Sequence, residues 1–509
     1  MLFGEPSDVV QFLRNVPEAG GGKVDIVTTH ASLVFLAGDR AFKLKRAVRY
    51  PYLDFSTPER RLDACRTELE LNRRTAPSLY LGVRTITRDT DGRLAFDGRG
   101  SLVDAVVEMR RFGQEHLFDA MAQKGALTPL LLTELARRIA AFHKSAAVSF
   151  EHGGAAGIAA VLDINDRALR GTTLVGTEVA KAFADTFRQA LAAHSERLEA
   201  RRKAGKVRRC HGDLILRNIC LIDGEPTLFD CLEFDEALAT IDVLYDLAFL
   251  LMDLWHRDQH RLASIVFNRY LDECDETDGL PLVPFFMAIR AAVRAHVTAA
   301  QADKTTGDEA ERLSREARAY FDLASTLLEK RDPVLLAIGG FSGSGKSTIA
   351  SLVAPRLGPP PGARTLNSDR IRKRMHGAAA EERLPASTYR PEVSDEVYRS
   401  LRREAADVLA AGYAVVADAV FDRPAEREAI GGSAADAGVP FHGIWLDVPE
   451  AALLDRLAAR RNDPSDATAE VLLAQLQREC GEISWHRIDA AGLPEAVRDA
   501  VLARLRTTS

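Results

Sequence analysis

The sequence predicts two folds in one chain: an α+β part over residues 1–330 and an α/β part with a parallel sheet over residues 331–509. Three observations predict this. The 509 residues exceed the roughly 250–300 at which a single hydrophobic core stops growing. Strand-like alternation over about 20–112 gives way to helical periodicity over about 113–330, a sheet-rich lobe followed by a helix-rich one. At Arg331-Asp332-Pro333 a breaker then precedes VLLAIGG, and the pattern restarts as strand, glycine-rich loop and helix.

Taken in order, VDIVTT and SLVFL are strand signals, and Gly38-Asp39 turns the chain into RAFKLKR, whose residues alternate across a strand. Glu59–Arg74 has helical spacing, with Ser56-Thr57-Pro58 as its start and Pro77 beyond its end. SLVDAVVEMRRF is a further strand, and Thr128–Arg202 is mostly helical by period and by its Ala, Leu, Arg and Glu content. From Val207 come two short apolar runs, ICLID and PTLFDCLEF, then helices to Lys330. Beyond the breaker, LLAIGG, AVVADAV and HGIWLDV alternate with helices, the order of a parallel α/β sheet.

Composition narrows the function classes. Hydrophobic residues at 46% and charged residues at 28% exclude a disordered or collagenous chain. Lys+Arg 67 against Asp+Glu 73 gives a net charge of −6, so no global field favours a polyanion or an anionic membrane, and basic sites must be local. The six cysteines, at 65, 210, 220, 231, 274 and 480, form no CxxC pair and no zinc-finger spacing, which suits a reducing compartment. MLFGEPSDVVQF carries acids where a signal peptide needs positive charge, and Asp246 and Asp253 interrupt the most apolar run near Leu244–Trp255. The expectation is a cytoplasmic protein that engages no membrane.

GFSGSGKS, Gly340 to Ser347, fits G-x-x-x-x-G-K-[ST] at every fixed position between a predicted strand and helix. Gly340, Gly343 and Gly345 let backbone N–H groups, with Ser344 among them, face phosphate oxygens, and the helix N-terminus, with Thr348 in its first turn, adds its positive dipole end. Lys346 would reach the β- and γ-phosphates of ATP, and Ser347 would ligate Mg²⁺. In TLNSDRIRKRM, Asp369 follows a second strand and could orient or deprotonate an acceptor hydroxyl, while Arg372 could hold an anionic acceptor. The blander alternative is a helix start capped by Ser368 or Asp369. Asp418 ends the AVVAD strand on the ligand edge of the sheet. Arg456, Arg460 and Arg461 in DRLAARRNDPSDAT could close over a transferring phosphoryl group.

Over about 333–509 the chain resembles the AAA_33-type P-loop kinases, which include polynucleotide-kinase-like, zeta-toxin-like and gluconate-kinase-like enzymes. NSDRIR is similar to their acceptor-side segment, implying Asp369 as base and Arg372 as acceptor-phosphate contact. RRNDPSDA is similar to their lid, implying Arg460 or Arg461 there.

In the first part HGDLILRN, His211–Asn218, is followed twelve residues later by Asp230. Asp213 and Asn218 have the D-x-x-x-x-N spacing of a kinase catalytic loop, in which the Asp receives the acceptor proton and the Asn ligates metal. Asp230 would be a second metal ligand. A lysine on the β-rich lobe must hold phosphate: Lys43 and Lys45 share a strand face, Lys43 being preferred with Lys45 close behind. Glu68 is the helical partner preferred to Glu70, and EMRRF, with Met109 and Arg110, would be the hinge that meets adenine.

Residues 20–320 resemble the aminoglycoside phosphotransferase and choline-kinase-like family. The resemblance implies a two-lobed, protein-kinase-like fold with Asp213 as base, Asn218 and Asp230 as metal ligands, and Asp242 and Asp246 as structural braces. TTHASLVFL lacks the glycine-rich loop of protein kinases, and Asp230-Cys231-Leu232 stands where they have DFG, which favours a small-molecule acceptor. The whole arrangement is similar to bacterial proteins described as bifunctional aminoglycoside phosphotransferase/ATP-binding proteins. The expected activity is ATP- and Mg²⁺-dependent phosphoryl transfer at two sites to small hydroxyl acceptors. The alternatives are a P-loop half that phosphorylates nucleic-acid ends, which the charge does not favour, and a half that binds ATP only as a switch.

Overall fold

The computed structural model describes residues 7–20, 22–29, 31–50, 53–379, 382–458 and 468–506. They divide into two compact units, Met1–Ile164 with Leu191–Asp253, and Asn165–Ala190 with Leu254–Ser509. The breaker at 331–333, where helices give way to a parallel sheet, falls inside the second unit.

In the first unit the alternating segments build a six-stranded antiparallel sheet. Its spatial order is Asp25–Thr28, Ser32–Ala37, Arg40–Lys45, Ser101–Arg110, Tyr80–Arg88 and Leu94–Phe96. Successive side chains point to opposite faces, so Phe42 and Leu44 join Phe35, Ile86 and Val106 in one core while Ala41 joins Cys65, Ala105 and Val107 in another. Helix Pro58–Arg73 covers that second face; Thr57 caps it by accepting the Arg60 amide, and the Arg61 guanidinium fixes it to Asp104 through a buried two-pronged pair at 2.8 and 2.9 Å. Beyond helix Pro129–Ser145 two small antiparallel ribbons follow, Val207–Arg209 with Thr240–Asp242 and Ile219–Ile222 with Glu225–Leu228. Asp223 (φ 52°) and Gly224 (φ 84°) turn the second ribbon, the paired positive φ of a tight hairpin.

The second unit combines helices, among them His260–Glu273, Val283–Ala302 and Asp308–Thr326, with a five-stranded parallel sheet. The strand order is Arg364–Asn367, Val415–Asp418, Leu335–Gly339, Phe441–Asp447, His486–Asp489. Leu336, Ile338, Val416, Ile444 and Leu446 pack under helices Lys346–Val353 and Pro494–Arg506. At the outer edge, Asn268 of helix His260–Glu273 donates to Ala363 O (3.2 Å), accepts from the Thr365 amide (2.7 Å) and, through its carbonyl, from Arg364 (3.1 Å). Thr277–Ala302 is apolar and long enough to cross a membrane, and 72% of its most apolar stretch is buried inside the protein.

Candidate functional site

The first constellation lies wholly in the first unit. Glu68, fully buried on helix Pro58–Arg73, holds one lysine on each oxygen: Lys43 Nζ on Oε1 at 2.8 Å and Lys45 Nζ on Oε2 at 2.5 Å. Glu70 is exposed. The lysines then diverge, Lys43 reaching Asp230 Oδ1 at 2.5 Å and the buried Lys45 reaching Glu233. Burial opposes each charge, and the partners outweigh it. Desolvation pulls Lys43 down, but Asp230 and Glu68 hold its pKa well above the usual lysine range. Desolvation pulls Glu68 and Asp230 up, but Lys43 and Lys45 hold both down, Asp230 at about 2.

Asp230 adopts φ 61°, a left-handed conformation kept by its surroundings. Its amide donates to Tyr80 Oη (3.2 Å) and the next, of Cys231, to Asn72 Oδ1 (2.9 Å). A short turn, Leu216–Asn218, folds Asn218 back onto Asp213: Nδ2 donates to Asp213 O at 2.9 Å and to Oδ2 at 2.8 Å, and Arg217 adds a contact to Oδ2 at 3.3 Å. Asp213 Oδ1 and Asn218 Oδ1 therefore have no hydrogen-bond partner among the described residues. The Asn218 amide oxygen and the Asp230 carboxylate are hard oxygen donors of the kind a magnesium-sized cation takes.

The loop is braced from behind. Asp246 accepts the amides of His211 (3.1 Å) and Gly212 (2.8 Å) and meets His143 Nε2 at 3.1 Å; Asp253 accepts the Leu216 amide at 3.0 Å. Arg201 grips Asp242 at 2.7 and 2.9 Å. His143, Cys210 and Asp246 bring three ligand-type atoms within 4.8 Å, but Asp246 already serves two amides, so this trio is a brace. At the hinge Met109 is buried and pairs with Ala41 and Tyr80, while the amides of Arg110 and Arg111 donate to Leu79 O and Asp39 O. Arg110 is joined to Asp223 at 2.7 and 2.8 Å. The Arg110 amide, one of the backbone groups expected near adenine, is thus paired within the protein.

The second constellation lies wholly in the second unit, where strand Leu335–Gly339 leads into helix Lys346–Val353. Gly340 (φ 142°) and Gly343 (φ 90°) are obligatory: a Cβ would stand 2.9 Å from Leu446 O at the first and 3.0 Å from Leu453 O at the second. Ser344 Oγ is buried without a hydrogen-bond partner among the described residues, an orphan donor inside the loop that a phosphate oxygen would satisfy. Gly345 caps the helix, Lys346 Nζ contacts Phe341 O at 3.0 Å, and Ser347 and Thr348 are exposed in the first turn. Gln475, from helix Ala469–Leu476, accepts the Ser342 amide at 3.0 Å.

Asp418 is buried at the end of its strand, and burial raises its pKa against the pull of Lys346, Ser347 and Asn367. Asn367 connects the parts, its Nδ2 donating to Asp418 Oδ2 (2.6 Å) and Ser347 Oγ (3.2 Å). Its Oδ1 accepts the Arg370 amide at 3.0 Å, so Asn367, rather than Ser368 or Asp369, caps helix Ser368–Met375. Asp369 is half-buried in that first turn, close enough to Asp418 for its charge to raise the Asp418 pKa. Arg372 is buried, donates to Thr388 O at 2.6 Å, lies over the Tyr389 ring at 4.6 Å, and keeps its Nε without a hydrogen-bond partner among the described residues. Arg456 donates to Ala490 O and Ala491 O at 2.8 and 2.9 Å. Arg460 and Arg461 lie outside the described residues.

Sequence reasoning missed Asn367, Gln475 and Glu233, and also a cluster beyond Asp418. There Asp422 meets Arg478 at 2.9 Å, and Glu426, one oxygen buried and unpartnered, is pushed up to about 7 by burial and the Asp422 charge. Asn367 sits directly before the Ser368-Asp369 pair that drew attention, a signal that an Asn cap position could have given.

Residues 38–281 match the phosphotransferase enzyme family and residues 334–479 match an AAA domain. The uncharacterized protein Rv2004c of Mycobacterium tuberculosis is 30% identical over 478 residues, covering 92% of this chain and 93% of that protein, and a Mycobacterium bovis protein matches to the same extent. Among solved structures, a gluconokinase from Sinorhizobium meliloti is 23% identical, covering 35% of this chain and 95% of its own, with a TM-score of 0.25. A choline/ethanolamine kinase family protein from Mesorhizobium loti is 15% identical, covering 64% and 94%, with a TM-score of 0.39.

Proposed function

The chain belongs to the family that joins a phosphotransferase-enzyme domain to an AAA domain and is an ATP-dependent phosphotransferase; on that basis we propose that both sites transfer phosphoryl groups to small-molecule hydroxyl acceptors. The observation that carries this is the Glu68–Lys43–Asp230 chain of ion pairs, set in the same unit as an Asp213 whose Oδ1 is unpartnered.

In the first unit Lys43, positioned by Glu68, supplies a fixed cation for phosphate oxygens. Asn218 Oδ1 and Asp230 would hold a magnesium ion, which when bound neutralises charge on the phosphates. Asn218 and Arg217 engage Asp213 Oδ2, which directs Oδ1 toward the acceptor hydroxyl. As that hydroxyl oxygen bonds to phosphorus and the bond to the ADP oxygen breaks, its proton passes to Asp213 Oδ1.

In the second unit the amides after Gly340, the Ser344 hydroxyl and Lys346 bind the phosphates, Ser347 and Asp418 are oriented together by Asn367, and Asp369 orients the acceptor. Arg372 gives one nitrogen to Thr388 O and lies over the Tyr389 ring, while its Nε is buried without a hydrogen-bond partner among the described residues, so it keeps a donor for an anionic acceptor.

The test is incubation of the wild type, Asp213→Ala and Lys346→Ala with labelled ATP, Mg²⁺ and fractionated cell extract. Each variant is expected to lose a different labelled small-molecule product. Full transfer by both variants with every fraction would refute the proposal.

A further inference from the structure

A cavity of about 680 Å³ lies in the second unit at the end of the sheet remote from the phosphate loop. Arg331, on its wall, precedes strand Leu335–Gly339 by four residues, whereas the phosphate loop follows that strand's other end. Arg356, also on the wall, follows helix Lys346–Val353, whose first residue is the phosphate-loop lysine. A five-residue strand spans about 17 Å, too far for a ligand in the loop to occupy both places.

The lining is strongly cationic in a chain of net charge −6. Four arginines, 331, 356, 498 and 506, face one acid, Asp499, which pairs with Arg498 at 2.7 Å. Arg331, Arg356 and Arg506 have no partner among the described residues. The same cavity is lined by flat and apolar groups: the rings of Trp255 and His260 stack with centroids 4.0 Å apart, and Leu502 and Leu505 also line it. Burial, and then the Arg356 cation, lower the His260 pKa against the pull of Asp258, so Arg356 stands within electrostatic reach of the stacked pair.

Forked guanidinium groups match phosphate oxygens, aromatic faces take flat rings, and the volume falls within the roughly 300–1,000 Å³ of small-molecule sites. We propose that this cavity is a second, non-catalytic ligand site for a small phosphorylated compound carrying a flat ring, its phosphate on Arg331, Arg356 and Arg506 and its ring against Trp255.

Arginine footprinting of the full chain tests this with 5′-AMP and inorganic phosphate as probes. Phenylglyoxal modification of Arg331, Arg356 and Arg506 is read by peptide mass spectrometry, with Arg315, 73% exposed on another helix, as the reference. AMP is expected to slow modification at the three arginines at least fivefold, and more than phosphate does, with Arg315 unchanged. In Trp255→Leu the advantage of AMP over phosphate should vanish, and in Arg356→Glu AMP should no longer protect Arg331 or Arg506. Matching thermal unfolding of each variant and the wild type shows that lost protection is not lost folding. Protection no greater than at Arg315, AMP no better than phosphate, or protection that survives Arg356→Glu would each overturn the proposal.

Discussion

Replacing Glu68 by glutamine removes the carboxylate that two buried lysines share. At 2.8 and 2.5 Å, and with an effective dielectric of about 20, each lysine gains about 6 kcal/mol of Coulomb attraction from Glu68. Desolvation of three charges cancels much of that in the intact network, but removing one partner leaves the others buried, and such losses run to about 3–5 kcal/mol. Glutamine keeps one acceptor oxygen for Lys43 or Lys45, not both. For a unit of this size that corresponds to a fall of roughly 10 °C in unfolding temperature. Because Lys43 then leans on Asp230 alone, phosphoryl transfer at the first site should also drop at least about tenfold. Calorimetry of Glu68→Gln beside the wild type, with labelled-ATP transfer on the same samples, measures both. Unfolding within about 2 °C of the wild type together with undiminished transfer would refute the view that this network organises the site.

The two lysines should separate by function: Lys43→Met lowers first-site transfer roughly 100-fold, while Lys45→Met, whose partners are Glu68 and Glu233, mainly lowers stability, as paired transfer assays and denaturant titrations would show. Glu426 has a folded pKa raised to about 7, above its unfolded value, so its favourable contribution is complete below about pH 4.5 and is lost as pH rises through 7, a loss of roughly 3 kcal/mol. Urea unfolding at pH 5 and pH 8 should therefore show a steeper decline for the wild type than for Glu426→Gln; parallel declines would contradict it. Asn268→Ala strands the Thr365 amide and Ala363 carbonyl and should cost about 1–3 kcal/mol, measurable as a lower urea midpoint for the second unit.

What sequence could reveal here was what lies close along the chain. The D-x-x-x-x-N pair of Asp213 and Asn218, the phosphate loop, and the strand–turn–strand at Gly38-Asp39 are local patterns with local causes, and the fold class followed from them. Strand Tyr80–Arg88 escaped notice because its run YLGVRTITR mixes Arg and Thr among the apolar residues, and His486–Asp489 because it is short and lies at the sheet edge. Lys43 and Asp230 meet across 187 positions, and whether Lys43 or Lys45 makes that contact depends on where Asp230 and Glu233 lie, which periodicity does not encode. Arg372 depends on packing in the same way: its spacing suggested an anion contact, and no local pattern announces that Thr388 O and the Tyr389 ring also engage its guanidinium.

The Asn268 contacts bear on how this protein can be divided. Strand Arg364–Asn367 is the outermost of the parallel sheet, and an outermost strand carries open amides and carbonyls that invite another chain to add on. A single asparagine from a helix that precedes Pro333 by some sixty positions occupies that rim, and Asp272 of the same helix pairs with Arg364 at 2.8 Å. A fragment beginning at Pro333 would keep every phosphate-loop residue and lose this guard, so it should self-associate through the bared rim. The helix His260–Glu273 travels with the sheet, and because the same unit also draws in Asn165–Ala190, whose Phe183 stacks on Phe321, no single cut near the change of architecture releases the nucleotide-binding unit whole.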